Sequence, residues 1–443
     1  MFRRKILEKL RTWKNEENGK TALLVEGARR VGKSTVVKAF AQQEYESFIL
    51  IDFSSCAQEI RDLFQDISDL DYFFLQLQLL TGVRLIEGKS LIVFDEVQLF
   101  PAARQAIKHL VADCRYAYIE TGSLISIKKN VKDILIPSEE RKIRMHPMDF
   151  EEFLWAIGDD VTIPLLRQLY QDCKPAGDGA HRRIMRSLRL YMLVGGMPQA
   201  VDAYLQSNNF EVVDRVKRDI LQLYEDDFYK IDETGRLSRL FDAIPAQLHK
   251  NDARYKVSSV IAHLRPGNSL ELISELIDSR TVLAAYHTSN PSAEMASYLD
   301  LKRFKLFLSD TGLFTTLMFK NKAFTENGIY QKLLSDKHSA NLGYLYENLA
   351  AQMLAAREYD LFYHAFSNSE KIAKNYEVDF LISRKNKMCP IEVKSSGYKR
   401  HTSFDVFCRR YSAQIGEKYI LCTKDMQKEG DVVFLPIYMT PFL

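Results

Sequence analysis

The run Gly27-Ala28-Arg29-Arg30-Val31-Gly32-Lys33-Ser34, followed by Thr35, constrains this 443-residue chain more than any other feature. It satisfies G-x-x-x-x-G-K-[ST] at every fixed position. It follows the apolar run Ala22-Leu-Leu-Val-Glu26 and opens a helical pattern reaching about Gln43. Glycines at 27 and 32 permit a tight loop whose backbone N–H groups face inward at the positive end of a helix. Such a loop cradles phosphate oxygens. In that reading Lys33 reaches the β- and γ-phosphates of ATP, and the Ser34 hydroxyl ligates Mg²⁺. The loop also dictates its surroundings. Strands at 22–26, 47–52, 90–95 and 115–120 alternate with helical stretches, which predicts βαβ units and a parallel sheet.

Two strand ends complete the expected nucleotide site. Leu91-Ile-Val-Phe-Asp-Glu96 is an apolar strand closed by two carboxylates: Asp95 for the metal, Glu96 to orient or deprotonate the attacking water. Ile119-Glu-Thr-Gly-Ser123 ends the next strand and offers Thr121 or Ser123 as a polar sensor; a turn with a capping hydroxyl explains it equally well. Hydrolysis also calls for an arginine. Arg141 and Arg144 lie in a basic stretch just beyond the sheet, and spacing does not choose between them.

Composition excludes several other classes. With 46% hydrophobic and 27% charged residues the chain is neither disordered nor fibrous, and its length fits about three domains. A net charge of +3 neither demands nor excludes a nucleic-acid partner. No stretch has the length of a membrane span, and the basic start Met1–Leu10 reads as an amphipathic helix rather than a signal peptide. Six scattered cysteines without a C-x-x-C pair read as reduced thiols, with no zinc site. A cytoplasmic protein is the expectation.

Behind the sheet the apolar spacing is mostly helical as far as about Lys250, interrupted at Gly195-Gly-Met-Pro198. The helical runs Tyr255–Leu264 and Ser269–Ile277, followed by β-like segments 281–287 and 304–308, have the order of a winged helix-turn-helix, with Lys302-Arg-Phe-Lys305 on the wing. Glu271, Glu275 and Asp278 make the second helix a poor reader of a major groove, which favours a protein–protein or interdomain role.

A second constellation lies near the end. Tyr376–Ser383 and Met388–Lys394 flank Arg384-Lys-Asn-Lys387 and read as a hairpin centred between Lys385 and Asn386. That register sets Asp379 opposite Glu392 and Glu377 opposite Lys394, all on one face. Pro390, without an N–H, must sit unpaired or near a strand start. Opposed carboxylates repel, so something positive belongs between them. Mg²⁺ or Mn²⁺ fits the oxygen donors, with Lys394 to position or deprotonate water beside a phosphodiester and Glu347 as a further ligand. The competing reading is an exposed charged face. Residues 371–400 carry eight Lys/Arg against three Asp/Glu, a surplus suited to a phosphate backbone or to plain solvation.

Together these residues resemble the prokaryotic AAA-type P-loop ATPases with a carboxyl-terminal domain of uncharacterised function and nuclease-like motifs. The resemblance is nearly full length. It rests on Glu26–Ser34, Phe94-Asp-Glu96, Thr121-Gly-Ser123, His146–Phe153, Gly195–Pro198, Ser309–Leu313, Gly343–Glu347, Glu377–Phe380 and Ile391–Lys394. It implies an α/β chain with a P-loop core (1–150), a winged-helix-like segment (237–320) and a PD-(D/E)xK-like module (321–443), to which the helical spacing adds a helical subdomain acting as a lid (151–236). It implies Gly27, Gly32, Lys33, Ser34, Asp95 and Glu96 at ATP, and Glu347, Asp379, Glu392 and Lys394 at the rear site. One departure stands out: the family's glycine-arginine pair before the His-Pro motif is missing, because Glu139–Lys142 lacks the glycine. The expectation is an ATPase whose nucleotide state controls a nuclease-like, DNA-binding module. The rival is a non-cleaving switch that binds DNA or a protein, and a second copy of the chain is a further expected partner.

Overall fold

The computed structural model describes residues 1–123, 137–250, 252–320, 334, 342–367 and 375–443. The chain divides into two compact units: Met1–Pro147 with Asp278–Arg280, and Met148–Ile277 with Thr281–Leu443.

The first unit is built on a parallel sheet of five strands: β1 (Ala22–Glu26), β2 (Ser47–Asp52), β3 (Ser90–Asp95), β4 (Ala117–Gly122) and β5 (Glu140–Arg144), in the order β2-β3-β4-β1-β5. The first four are the strands expected from their apolar runs. β1, β3 and β4 are buried along their whole length, as strands covered on both faces should be. β5 is a correction. Glu140-Arg-Lys-Ile-Arg144 reads as a basic stretch beyond the sheet, yet it pairs in parallel with β1. At a sheet edge only one side of the backbone must pair, so charged side chains are tolerated and conceal the strand. The core between sheet and helices is aromatic, with Phe53 and Phe64 within ring-contact distance of each other and each of both Phe94 and Phe100.

The second unit has helices leading into a mixed sheet of eight strands. These are β6 (Val282–Thr288), β7 (Leu299–Leu308), β8 (Leu361–Ser367), β9 (Asn375–Arg384), β10 (Lys387–Lys394), β11 (Lys418–Cys422), β12 (Gln427–Glu429) and β13 (Val432–Pro436). Their order is β12-β13-β11-β10-β9-β8-β6-β7. The β9–β10 hairpin has the expected register, Ile382 opposite Cys389 and Phe380 opposite Ile391. Lys385 and Asn386 at its tip take φ of 49° and 59°, the left-handed pair that matches the twist of a two-residue hairpin. Pro390 lies opposite Leu381, and the parallel ladder to β11 begins one residue later at Ile391.

The winged-helix reading needs correcting in two places. The stretch 255–264 holds only a short 3-10 turn, Val257–Ser259, because Val257-Ser-Ser-Val-Ile is β-branched and serine-rich. Strands β6 and β7 do pair with each other, but β6 also pairs in parallel with β8. The supposed wing is therefore an edge of the large sheet.

Two motifs far apart in sequence meet in this unit. The Asp310 carboxylate accepts from Gly196 N (2.6 Å) and Leu313 N (2.8 Å), while buried Lys217 donates to Leu193 O (2.6 Å) and Gly312 O (3.2 Å). A Cβ on Gly312 would stand 2.4 Å from Gly195 Cα, so both positions need glycine for backbone to touch backbone.

Candidate functional site: a phosphate-binding loop and an acidic cleft

In the first unit, β1 delivers the loop and the helix Lys33–Glu44 receives it. Gly32 caps that helix with φ of 96°. Gly27 is required for space: a Cβ there would stand 2.3 Å from Met145 O. Arg30, exposed, takes a left-handed φ of 70°, while Ala28 and Val31 are buried and Arg29 is half-buried. Lys33 is 5% exposed, and its Nζ donates to Gly27 O and Ala28 O, 3.0 Å each, folding the side chain over the loop. Burial pushes its ammonium down to about 8, against the upward pull of Glu96 and Asp95. Thr35 is exposed.

The strand order sets β4 between β1 and β3, so the chemistry converges there. Ser34 Oγ donates to Asp95 Oδ1 at 2.8 Å, and Thr121 Oγ1 donates to the same oxygen. Ser34, Asp95 and Thr121 thus form one cluster, with the Lys33 ammonium near enough to feel the charge of Asp95. Ser123 is buried at the end of β4. Glu96 has a left-handed φ of 53° and accepts from Gln98 Nε2. Ser34 and Asp95 are hard oxygen donors within hydrogen-bond distance of each other, a donor set that suits Mg²⁺.

Of the two arginines considered, Arg141 pairs with Glu17, and Arg144 Nε donates to Glu26 Oε1 (3.1 Å). Three residues were not assigned to either site by the sequence. Arg4, 5% exposed, donates to Val31 O (2.9 Å) and His146 O (2.7 Å), clamping the loop to the chain beyond β5. Its only sequence signal is a basic residue beside an apolar helix. Arg280 donates to both carboxylate oxygens of Glu26, at 2.9 and 3.1 Å. Burial works to raise the Glu26 carboxyl, but the guanidinium groups of Arg280 and Arg144 outweigh it and hold the carboxyl below its ordinary range.

In the second unit a cleft of about 360 Å³ is lined by Glu347, Glu377, Asp379, Glu392 and Lys394, so the expected rear residues do converge. The pairing inside it differs from expectation. Lys394 Nζ donates to Glu392 Oε1 (2.6 Å) instead of crossing to Glu377. Asp379 Oδ2 accepts from Val393 N at 2.8 Å. Glu377 is taken by the third missed residue, Lys305 of β7, which also stands 4.0 Å from Glu347. Lys305 was expected on the wing; it is buried, at 4% exposure. Burial works to lower its ammonium, but Glu377, Glu347 and Asp379 outweigh it and hold the ammonium well above its ordinary range. Burial first, then neighbouring carboxylates, push Glu347 up to about 7 and Glu392 up to about 8.

The positive charge expected between the carboxylates is therefore supplied in part by two lysines. Among the described residues no three His, Cys, Asp or Glu side chains come together in a metal-holding arrangement. The donor set of this cleft is not a ready-made metal cage. Lys371 and Lys374 of the basic stretch lie outside the described residues. Among the described residues no helix is long and apolar enough to cross a membrane.

With this geometry in view, the comparisons match three successive segments of the chain. Residues 19–154 match a family described as an AAA domain. Residues 185–323 match a domain of unknown function (DUF8612), and residues 342–440 match another (DUF4143). No curated protein matches. Similar solved structures include the Walker-type ATPase of Pyrococcus abyssi, at 16% identity over 72% of this chain and 96% of that one, with a TM-score of 0.43. Another is Cdc6p from Pyrobaculum aerophilum, at 11% identity over 74% and 92%, with a TM-score of 0.24. The chain carries an AAA-type P-loop domain, the kind of domain that binds ATP. The two segments that follow it in sequence match families of undefined function.

Proposed function

We propose that this chain is a Mg²⁺-dependent ATPase whose nucleotide state governs a nuclease-like, nucleic-acid-binding module at its carboxyl end. The observation that carries the first half is the convergence of Ser34, Asp95 and Thr121 at one strand-end position, with the Lys33 ammonium near enough to feel the charge of Asp95. ATP phosphates displace the hydrogen bonds that Lys33 makes to its own loop, and the ammonium binds the β- and γ-phosphates instead. Ser34 and Asp95 would hold Mg²⁺, which supplies charge neutralisation along the triphosphate. Glu96, one residue past the strand, orients and deprotonates water, and Thr121 or Ser123 senses the terminal phosphate. Lys33→Ala should lower ATP affinity at least ~10-fold, read by fluorescent-nucleotide titration. Glu96→Gln should bind ATP normally and lose at least ~100-fold in turnover. Unchanged affinity in the first variant would sink the loop assignment, and unchanged turnover in the second the base assignment.

For the rear module two readings have support. Cleavage of a phosphodiester is favoured by Glu392 Oε2, which is buried in the cleft without a hydrogen-bond partner among the described residues. A non-cleaving switch is favoured by Lys305, whose ammonium already answers Glu377 and Glu347. Nuclease assays with Mg²⁺ or Mn²⁺ on wild type, Asp379→Ala and Lys394→Ala distinguish them. Cleavage that disappears in both variants supports the first; no cleavage alongside full ATP turnover supports the second.

A further inference from the structure

A second cleft of the rear unit, about 820 Å³, takes Lys399 and Arg400 from the basic stretch 371–400 and is otherwise lined by residues outside the expectations above. One wall is the helix Asp178–Val194; the other is formed by the loops leaving β10 (395–400) and β11 (423–425). β10 and β11 are parallel neighbours, so both loops leave from carboxyl ends, where open sheets with parallel strands place their ligand crevices. His181 fixes the walls together: one ring nitrogen bonds Tyr438 OH (3.0 Å) and the other Thr423 O (3.1 Å).

The charge of this cleft is one-sided. Five Lys/Arg line it against two Asp, a net of +3. One of the two acids is already engaged: the Asp425 carboxylate accepts from Ala176 N (3.1 Å), Gly177 N (2.7 Å) and Met426 N (2.8 Å). By contrast the side chains of Arg182, Lys399, Arg400 and Lys424 make no ion pair and no hydrogen bond with a described residue. Four cations on two facing walls are thus left to an outside anion.

The position of the cleft selects the anion. Lys394 lines the acidic cleft and Ser395, the next residue, lines the basic one. The carboxyl end of β10 therefore borders both clefts. A mononucleotide would fill one of them; a chain of phosphodiesters would run from one to the other. We infer that the basic cleft between the helix Asp178–Val194 and the loops after β10 and β11 is the track for a nucleic-acid backbone and leads it to the acidic cleft. This rests on the reading of the rear module as nucleic-acid-binding.

The test uses the full chain and fluorescence anisotropy with a labelled DNA single strand and its duplex across a salt series. Lys399→Glu/Arg400→Glu should weaken binding at least ~10-fold and flatten the log–log salt slope by about two. Arg182→Glu, on the opposite wall, should weaken it independently. Lys38→Glu/Lys108→Glu, an equal charge change on exposed residues of the front unit, should leave binding near wild type. Binding in both cleft variants at wild-type affinity and slope overturns the track while leaving the nucleic-acid reading intact. An equal loss in the control shows that bulk charge is responsible and also overturns it. A wild type that binds neither probe at low salt ends both.

Discussion

Replacing Lys305 by methionine keeps the length and apolar stem of the side chain and removes only its charge. In the structure that charge stands 4.0 Å from Glu347 and closer to Glu377, with only 4% of the residue exposed. At an effective dielectric of about 20, one pair at that distance is worth about 4 kcal/mol, against which the cost of burying the ammonium must be set. Removing one partner of such a buried pair typically costs about 3–5 kcal/mol, because the remaining carboxylates lose their counter-charge. In a unit of this size that corresponds to a melting-temperature loss on the order of 10 °C. The loss should depend on pH with a definite sign. Glu347 is pushed up to about 7 even with Lys305 pulling it down, and Glu377 is also raised; without the ammonium both rise further. In the unfolded chain these carboxyls ionise near ~4.3. Between about pH 5 and 8 the folded variant therefore holds protons that the unfolded chain has released, and its stability falls as pH rises. Thermal unfolding at pH 5 and pH 8 should show a small deficit at the lower pH and the full one at the higher. Glu377→Gln in the same chain should recover part of the pH 8 deficit. Equal deficits at both pH values, or one below ~1 kcal/mol at pH 8, would refute the view of Lys305 as the internal counter-ion of the acidic cleft.

Three further substitutions probe the supporting structure. Gly27→Ala places a Cβ 2.3 Å from Met145 O, a backbone atom with little room to yield, and should lower ATP affinity at least ~10-fold by displacing the loop. Near-normal titration would contradict that. Arg4→Ala removes charged-donor hydrogen bonds to Val31 O and His146 O, worth about 1.5–3 kcal/mol each; both melting temperature and nucleotide affinity should drop. A stability loss with untouched affinity would mean Arg4 does not shape the loop. Gly196→Ala would put a Cβ 2.0 Å from Met148 O and should destabilise the rear unit by at least ~1–3 kcal/mol in chemical denaturation, with little change in the front unit's ATP affinity.

Much of the front unit was legible because its signals are local. Buried parallel strands leave unbroken apolar runs, and a phosphate loop needs its glycines, lysine and serine at fixed spacing within a few residues. The β9–β10 hairpin was legible for a similar reason: a two-residue turn fixes register, and period two then fixes faces. The failures share the opposite property. β5 looked like a solvated basic stretch because an edge strand may carry charges. The supposed wing looked free because nothing in Val282–Leu308 announces that β8, more than fifty residues further on, will pair with β6.

By itself, then, the order of residues determined a phosphate-cradling loop, the carboxylates that face it, and a hairpin whose acids and lysine share one side. Tertiary packing decided which charges answer which. It brought Arg4 to the loop across the length of a helix and β1, inserted β4 between β1 and β3, and turned Lys305 from a presumed wing cation into the buried partner of Glu377. The physical reason is one of range. Backbone geometry and side-chain alternation act over a few residues and are written along the chain, whereas a buried charge is satisfied by whatever opposite charge the folded topology brings within reach.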